Sequence, residues 1–100
     1  MKKIAEIVAQ IDDELCGAKE YAESYLDLKA NGETQWASKY KDMAQTELNH
    51  ADTLHERAVV LIRKFASAFP TTPAEMEERW DKAHKQYVEK AAWVKQMLTM

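Results

Sequence analysis

Chain breakers and cross-links are nearly missing from this sequence. Its 100 residues include only 2 glycines, 2 prolines and 1 cysteine. So few turn formers exclude collagen-like and linker-rich chains and the turn-dense all-β classes, and they leave long helices. A single cysteine closes no internal disulfide, which fits a reducing compartment or a fold that needs no bridge. No apolar run approaches the ~20 residues that cross a bilayer. A basic excess is lacking too. The net charge is −3, which argues against nucleic acid as a partner, because phosphate binding needs a cationic surface. The opening Met1-Lys2-Lys3-Ile4-Ala5-Glu6 starts like a signal peptide, but Glu6, Asp12, Asp13 and Glu14 interrupt any apolar stretch. The expectation is a soluble cytoplasmic protein with no membrane segment. A chain this short holds one domain with a modest core, and self-association is a common way for it to gain stability.

The breakers that do occur fall in two places. Asn31-Gly32 is a left-handed helix stop. Phe69-Pro70-Thr71-Thr72-Pro73 is the second joint, and Thr72-Pro73-Ala74-Glu75 reads as a capping box with proline at the first helical position. The sequence therefore predicts an all-α fold of three long antiparallel helices, at about 3–30, about 34–69 and about 73–98. On a wheel of ~100° per residue, the first helix aligns Ile4, Ile7, Val8, Ile11, Leu15, Ala18, Ala22 and Tyr25. The second aligns Trp36, Tyr40, Met43, Ala51, Leu54, Ala58, Leu61, Phe65 and Phe69, and the third Met76, Trp80, Ala83, Tyr87, Ala91, Val94 and Leu98. The run Ala58-Val59-Val60-Leu61-Ile62 is apolar all round and calls for cover on more than one side, from the third helix or from another subunit.

Glu47 stands out because the wheel puts it at the middle of the apolar stripe of the second helix. An ionised carboxylate taken from water needs a compensating partner. His50 follows three residues later, and at that spacing both side chains reach one point. A carboxylate and a neutral imidazole converging on one point suit a divalent transition metal. If the hairpin turns at Asn31-Gly32, residues whose numbers sum to roughly 64 lie level, given equal rise in both helices. Glu14 is then level with His50, and Gly17 with Glu47. A glycine inside a helix costs about 1 kcal/mol against alanine; here it gives room for a close helix approach or for an ion. Glu14, Glu47 and His50 thus form the candidate metal-ligand set. The competing reading has Glu47 paired with a cation from another helix or protonated, His50 as a boundary histidine and Glu14 solvated.

Glu14-Leu15-x-x-Ala18-x-x-Tyr21-Ala22 followed by Glu47-x-x-His50-Ala51-x-x-Leu54-His55 resembles half of the carboxylate di-iron centre of the ferritin-like superfamily, which includes rubrerythrins and bacterioferritins. The resemblance covers the first two helices. In that superfamily a four-helix bundle supplies one Glu from each of two helices and Glu-x-x-His from each of the other two. The third helix here carries Asp81-x-x-His84, but Asp81, Glu78 and Glu89 lie off its apolar stripe, so it does not supply the second half. The resemblance therefore implies a bundle completed by dimerisation, as in short encapsulated-ferritin proteins, and it extends to small ferritin-like proteins of phages and prophages. It implies iron, with manganese or zinc as alternatives, and oxidation of Fe(II) by O₂ or peroxide. Glu47 would bridge two irons, Glu14 would be a terminal or bridging carboxylate and His50 a terminal ligand. Tyr21 and Tyr25 are read as core tyrosines rather than electron donors.

Three further residues are left without a metal role. His55 and His84 come to within a turn of equal height if the second joint lies near Pro70 to Thr72; such a pair could bind a metal, but no inward carboxylate accompanies it, so it is not promoted. Cys16 points away from the first helix's stripe and is read as a solvent-facing or interface thiol. Val88, Ala92 and Trp93 lie off the third helix's stripe and suggest a second contact surface. The functional alternative to the metal protein is a metal-free helical interaction module, such as an adaptor or phage accessory protein.

Overall fold

A computed structural model describes residues 2–68 and 74–100, with side chains described for all of these except 74–77. Three helices account for nearly all of them: α1 (Lys2–Ala30), α2 (Thr34–Ala68) and α3 (Ala74–Thr99). The expected end of the second helix at 69, the start of the third at 73 and the capping box lie outside the described residues, as do Phe69 and the Met76 side chain.

The α1–α2 joint is made by local backbone chemistry. Gly32 has a φ of +78°, the left-handed region that a side chain disfavours. The Glu33 N–H donates to Leu28 O at 2.9 Å and the Gly32 N–H to Lys29 O at 3.1 Å. These two bonds form a Schellman motif and satisfy carbonyls that the end of α1 would otherwise orphan. The Ala37 N–H then donates to Glu33 O at 2.9 Å and starts α2. The chain reverses in three residues, so α1 and α2 run antiparallel in register.

The rod measures 56 × 17 × 17 Å, and α2, at ~1.5 Å per residue, spans almost its full length. Helix α3 returns antiparallel to α2 and parallel to α1, and it packs chiefly on α1. Lys90 Nζ reaches Asp12 Oδ1 at 3.7 Å, and at the far end Lys29 Nζ donates to Met100 O at 2.6 Å. The core runs through Ile7, Ile11, Leu15, Ala18, Ala22 and Tyr25 of α1, Ala37, Ala44, Leu48, Ala51 and Ala58 of α2, and Ala91, Val94, Met97 and Leu98 of α3.

The stripe expected on α1 is the buried one, with Val8 half-buried. The stripe expected on α2 needs correction. Trp36 is 55% exposed and Met43 36%, whereas Ala37, Ala44 and Leu48 are buried. The true seam advances in sevens (37, 44, 51, 58) and not at the 3.6 period of a straight wheel, as when two helices coil about each other. Its small residues face the Ala18 and Ala22 side of α1, and a seam this narrow has no space for an indole. Glu47 accordingly sits on the flank of the seam, half-buried, and not at its centre. Full cover for Ala58–Ile62 is also not found: Ala58 is buried, but Val60 is 48% exposed.

Replacing Gly32 by alanine should lower stability by ~1–2 kcal/mol, because the left-handed conformation must then carry a Cβ. Truncating the fully buried Leu48 to alanine should cost more, about 2–5 kcal/mol. Urea denaturation followed by circular dichroism would measure both.

Candidate metal centre

The seam brings together the three residues singled out in the sequence. One ligand atom from each of Glu14, Glu47 and His50 lies within 4.8 Å of the others. His50 Nδ1 is 3.4 Å from Glu14 Oε2. The half-buried carboxylates come from facing flanks of α1 and α2, and the imidazole is exposed at the outer edge.

Gly17 explains how Glu47 reaches this position. A Cβ on Gly17 would stand 3.0 Å from Glu47 Oε2, tighter than ordinary van der Waals contact. The space left by the missing side chain holds the carboxylate. The helix-weakening glycine therefore accommodates an acidic group between the helices.

Electrostatics shows what the protein chain alone leaves unsatisfied. Glu14 Oε2 is buried and has no hydrogen-bond partner. A hydrogen bond between the two carboxyls forms only when one of them carries a proton. That potential bond, then partial burial and the negative charge of Glu14 raise Glu47 above the ordinary 4.5, against the opposing pull of His50. With both groups ionised, two negative charges share a partly dehydrated site. A cation between them relieves both the repulsion and the orphaned oxygen. The donor set, two carboxylates and one imidazole, fits a divalent transition metal.

The surroundings have their own organisation. Tyr21 and Tyr40 meet edge to face, with centroids 6.1 Å apart. A cleft lined by Tyr21, Asp42, Met43, Thr46 and Glu47 opens beside the carboxylates. Helix α3 covers the opposite flank of α1, where it lines a groove with Leu15, Cys16 and Lys19. The side that carries Glu14, Glu47, His50, Met43 and Trp36 therefore remains open. Asp81, Glu78 and Glu89 are exposed, as expected, and Cys16 is an exposed free thiol.

A second polar layer was only partly visible in the sequence. His55 and His84 lie in direct contact, and the Tyr87 hydroxyl donates to Asp52 Oδ1. The Asp52–Tyr87 pair went unnoticed, although the equal-height rule that pairs 55 with 84 also pairs 52 with 87.

No family model matches this chain, and neither a curated protein nor a solved structure resembles it. The chain is an all-α domain with a half-buried Glu–Glu–His cluster compatible with a metal ion.

Because the raised Glu47 favours the protonated carboxyl in the folded state, its contribution to metal-free stability is full below the unfolded value. That contribution is lost as pH rises through the raised value. Glu47→Gln should remove this part of the pH dependence and leave the metal-free protein equally or more stable at pH 7. Thermal unfolding in chelator from pH 4 to pH 8 would show it.

Proposed function

We propose that this chain is a ferritin-like carboxylate metal protein whose di-iron site is completed between two copies of the α1–α2 hairpin. The observation that carries the reading is the convergence of Glu14, Glu47 and His50 on one point, with the buried Glu14 Oε2 making no hydrogen bond and facing both His50 at 3.4 Å and the carboxylate seated over Gly17. Three protein ligands leave positions open on a transition metal, which water or ligands from a second copy can take. A two-fold copy would add the same three again, as an isologous interface requires. The uncovered side that holds the site also exposes Trp36 and Met43, apolar surface suited to such an interface.

In this reading Glu14 and Glu47 provide the negative charge that neutralises the cations, and His50 provides the borderline nitrogen ligand. Gly17 keeps space for the Glu47 carboxylate. Bound iron would supply redox chemistry, the oxidation of Fe(II) by O₂ or peroxide. The same ligands also accept manganese or zinc in a non-redox role.

Anaerobic loading with Fe(II), Mn(II) or Zn(II), followed by metal analysis, tests the site. The wild type should retain metal and Glu47→Ala/His50→Ala should not. Equal retention by both would refute the assignment. Light scattering should give a dimer or larger assembly whose stability rises with metal, and oxygen uptake with Fe(II) distinguishes turnover from static binding. Gly17→Ala should keep or improve metal-free stability, by up to about 1 kcal/mol from helix propensity. It should also weaken metal binding at least tenfold, because its Cβ displaces the Glu47 carboxylate.

The metal-free interaction module is favoured by a different observation. Val88 and Trp93, 50% and 51% exposed, lie on α3 away from the carboxylates and offer a second apolar surface. Under that reading a protonated Glu47 is hydrogen-bonded to Glu14, and Glu47→Gln leaves assembly and stability intact with or without metal.

A further inference from the structure

The layer between α2 and α3 holds the other concentration of nitrogen ligands. His55 Nε2 and His84 Nδ1 face each other at 2.9 Å, with ring centroids 5.0 Å apart. One ring is built into the structure. His55 stacks on Tyr87 at 4.5 Å and 9°, and on Trp80 at 5.7 Å and 21°. Tyr87 is itself fixed by its hydrogen bond to Asp52. Burial, with the Asp52 carboxylate adding to it, pushes the Tyr87 phenol up, so it remains a protonated donor. Burial and the facing His84 hold His55 below its usual 6.5, against the pull of Asp52 and Glu56. That environment favours the neutral imidazole, the form that binds metals. His84 is exposed, which leaves the pair open to solvent.

We propose that His55 and His84 form a second metal site, a two-imidazole clip for a nitrogen-preferring divalent ion such as Zn(II), Cu(II) or Ni(II), which fastens α3 to α2. The two nitrogens share a hydrogen bond, which an ion replaces. An ion bonded to two imidazoles at about 2.0–2.1 Å and a near-tetrahedral angle holds the nitrogens about 3.3 Å apart. The proton between the rings moves to the far nitrogen of its ring, and the exposed His84 ring turns to aim Nδ1 at the ion while the stacked His55 stays in place. Asp12 of α1 lines the same small cavity and pairs with Lys90 at 3.7 Å, and the exposed His84 side leaves the remaining positions to solvent. Imidazole-only ligation separates this clip chemically from the carboxylate-rich site of Glu14, Glu47 and His50. The structural effect is also distinct. Helix α3 packs chiefly on α1, and an ion here adds a direct tie to α2.

The clip does not depend on the iron reading, and its test keeps the two apart. In a Cys16→Ser/Glu47→Ala/His50→Ala chain, calorimetric titration with Zn(II) should show one equivalent bound per chain. Adding the exposed-site change His84→Gln should raise the Kd at least tenfold. In the otherwise wild-type chain, Cu(II) electron paramagnetic resonance should show coupling to two imidazole nitrogens that His84→Gln abolishes, and Zn(II) should raise the melting temperature of wild type more than that of His84→Gln. Zn(II) affinity unchanged by His84→Gln, or a Cu(II) spectrum indifferent to it, would overturn the clip. Metal binding lost entirely with His84→Gln alone would support the clip and count against the carboxylate site.

Discussion

The close approach of α1 and α2 is the constraint from which the rest follows. Ala18, Ala22, Ala44, Ala51 and Ala58 have no solvent exposure at all, and residues this small let two helix backbones come near each other. A seam of alanines gains less per residue from apolar burial than one of leucines. The few large buried groups, Ile7, Leu15, Leu48 and Val94, therefore carry much of the hydrophobic stabilisation, and bulky α2 residues such as Trp36 are displaced to the flank. The same closeness gives Gly17 its role, because the missing side chain leaves room for the Glu47 carboxylate opposite.

Acidic groups held this near each other tend to oppose folding in the absence of a cation. Glu47 responds by favouring its protonated form, and the buried Glu14 Oε2 makes no hydrogen bond, with His50 Nδ1 3.4 Å away. A fold selected for stability alone has simple remedies at these positions, such as glutamine for glutamate or alanine for glycine. A glycine, two carboxylates and an imidazole brought to one level are a local conflict of the kind that marks functional sites.

The two polar layers divide the molecule by chemistry. Oxygen-rich ligands occupy the open flank of the α1–α2 hairpin. Two imidazoles occupy the α2–α3 boundary, with His55 stacked on Trp80 and Tyr87. The first flank has no cover from α3, whereas the second helps to hold α3 in place. Both arise from the same geometric rule, equal height across a short antiparallel joint.

The number of helices, the Gly32 stop and the convergence of Glu14, Glu47 and His50 were legible because they depend on local quantities: turn chemistry, helical periodicity and equal rise per residue. Periodicity also sufficed for α1, which has a single dominant stripe. It failed on α2, where two candidate stripes lie one residue apart and a straight wheel selects the one with larger side chains. Only packing decided between them, since the distance between helices depends on both partners and favours the narrower alanine seam. For the same reason, Glu47 looked central in one dimension and lies on the flank in three. The preference of α3 for α1, the exposure of Trp36 and the pairing of Asp52 with Tyr87 likewise depend on how finished helices fit one another, and no single helix encodes that fit.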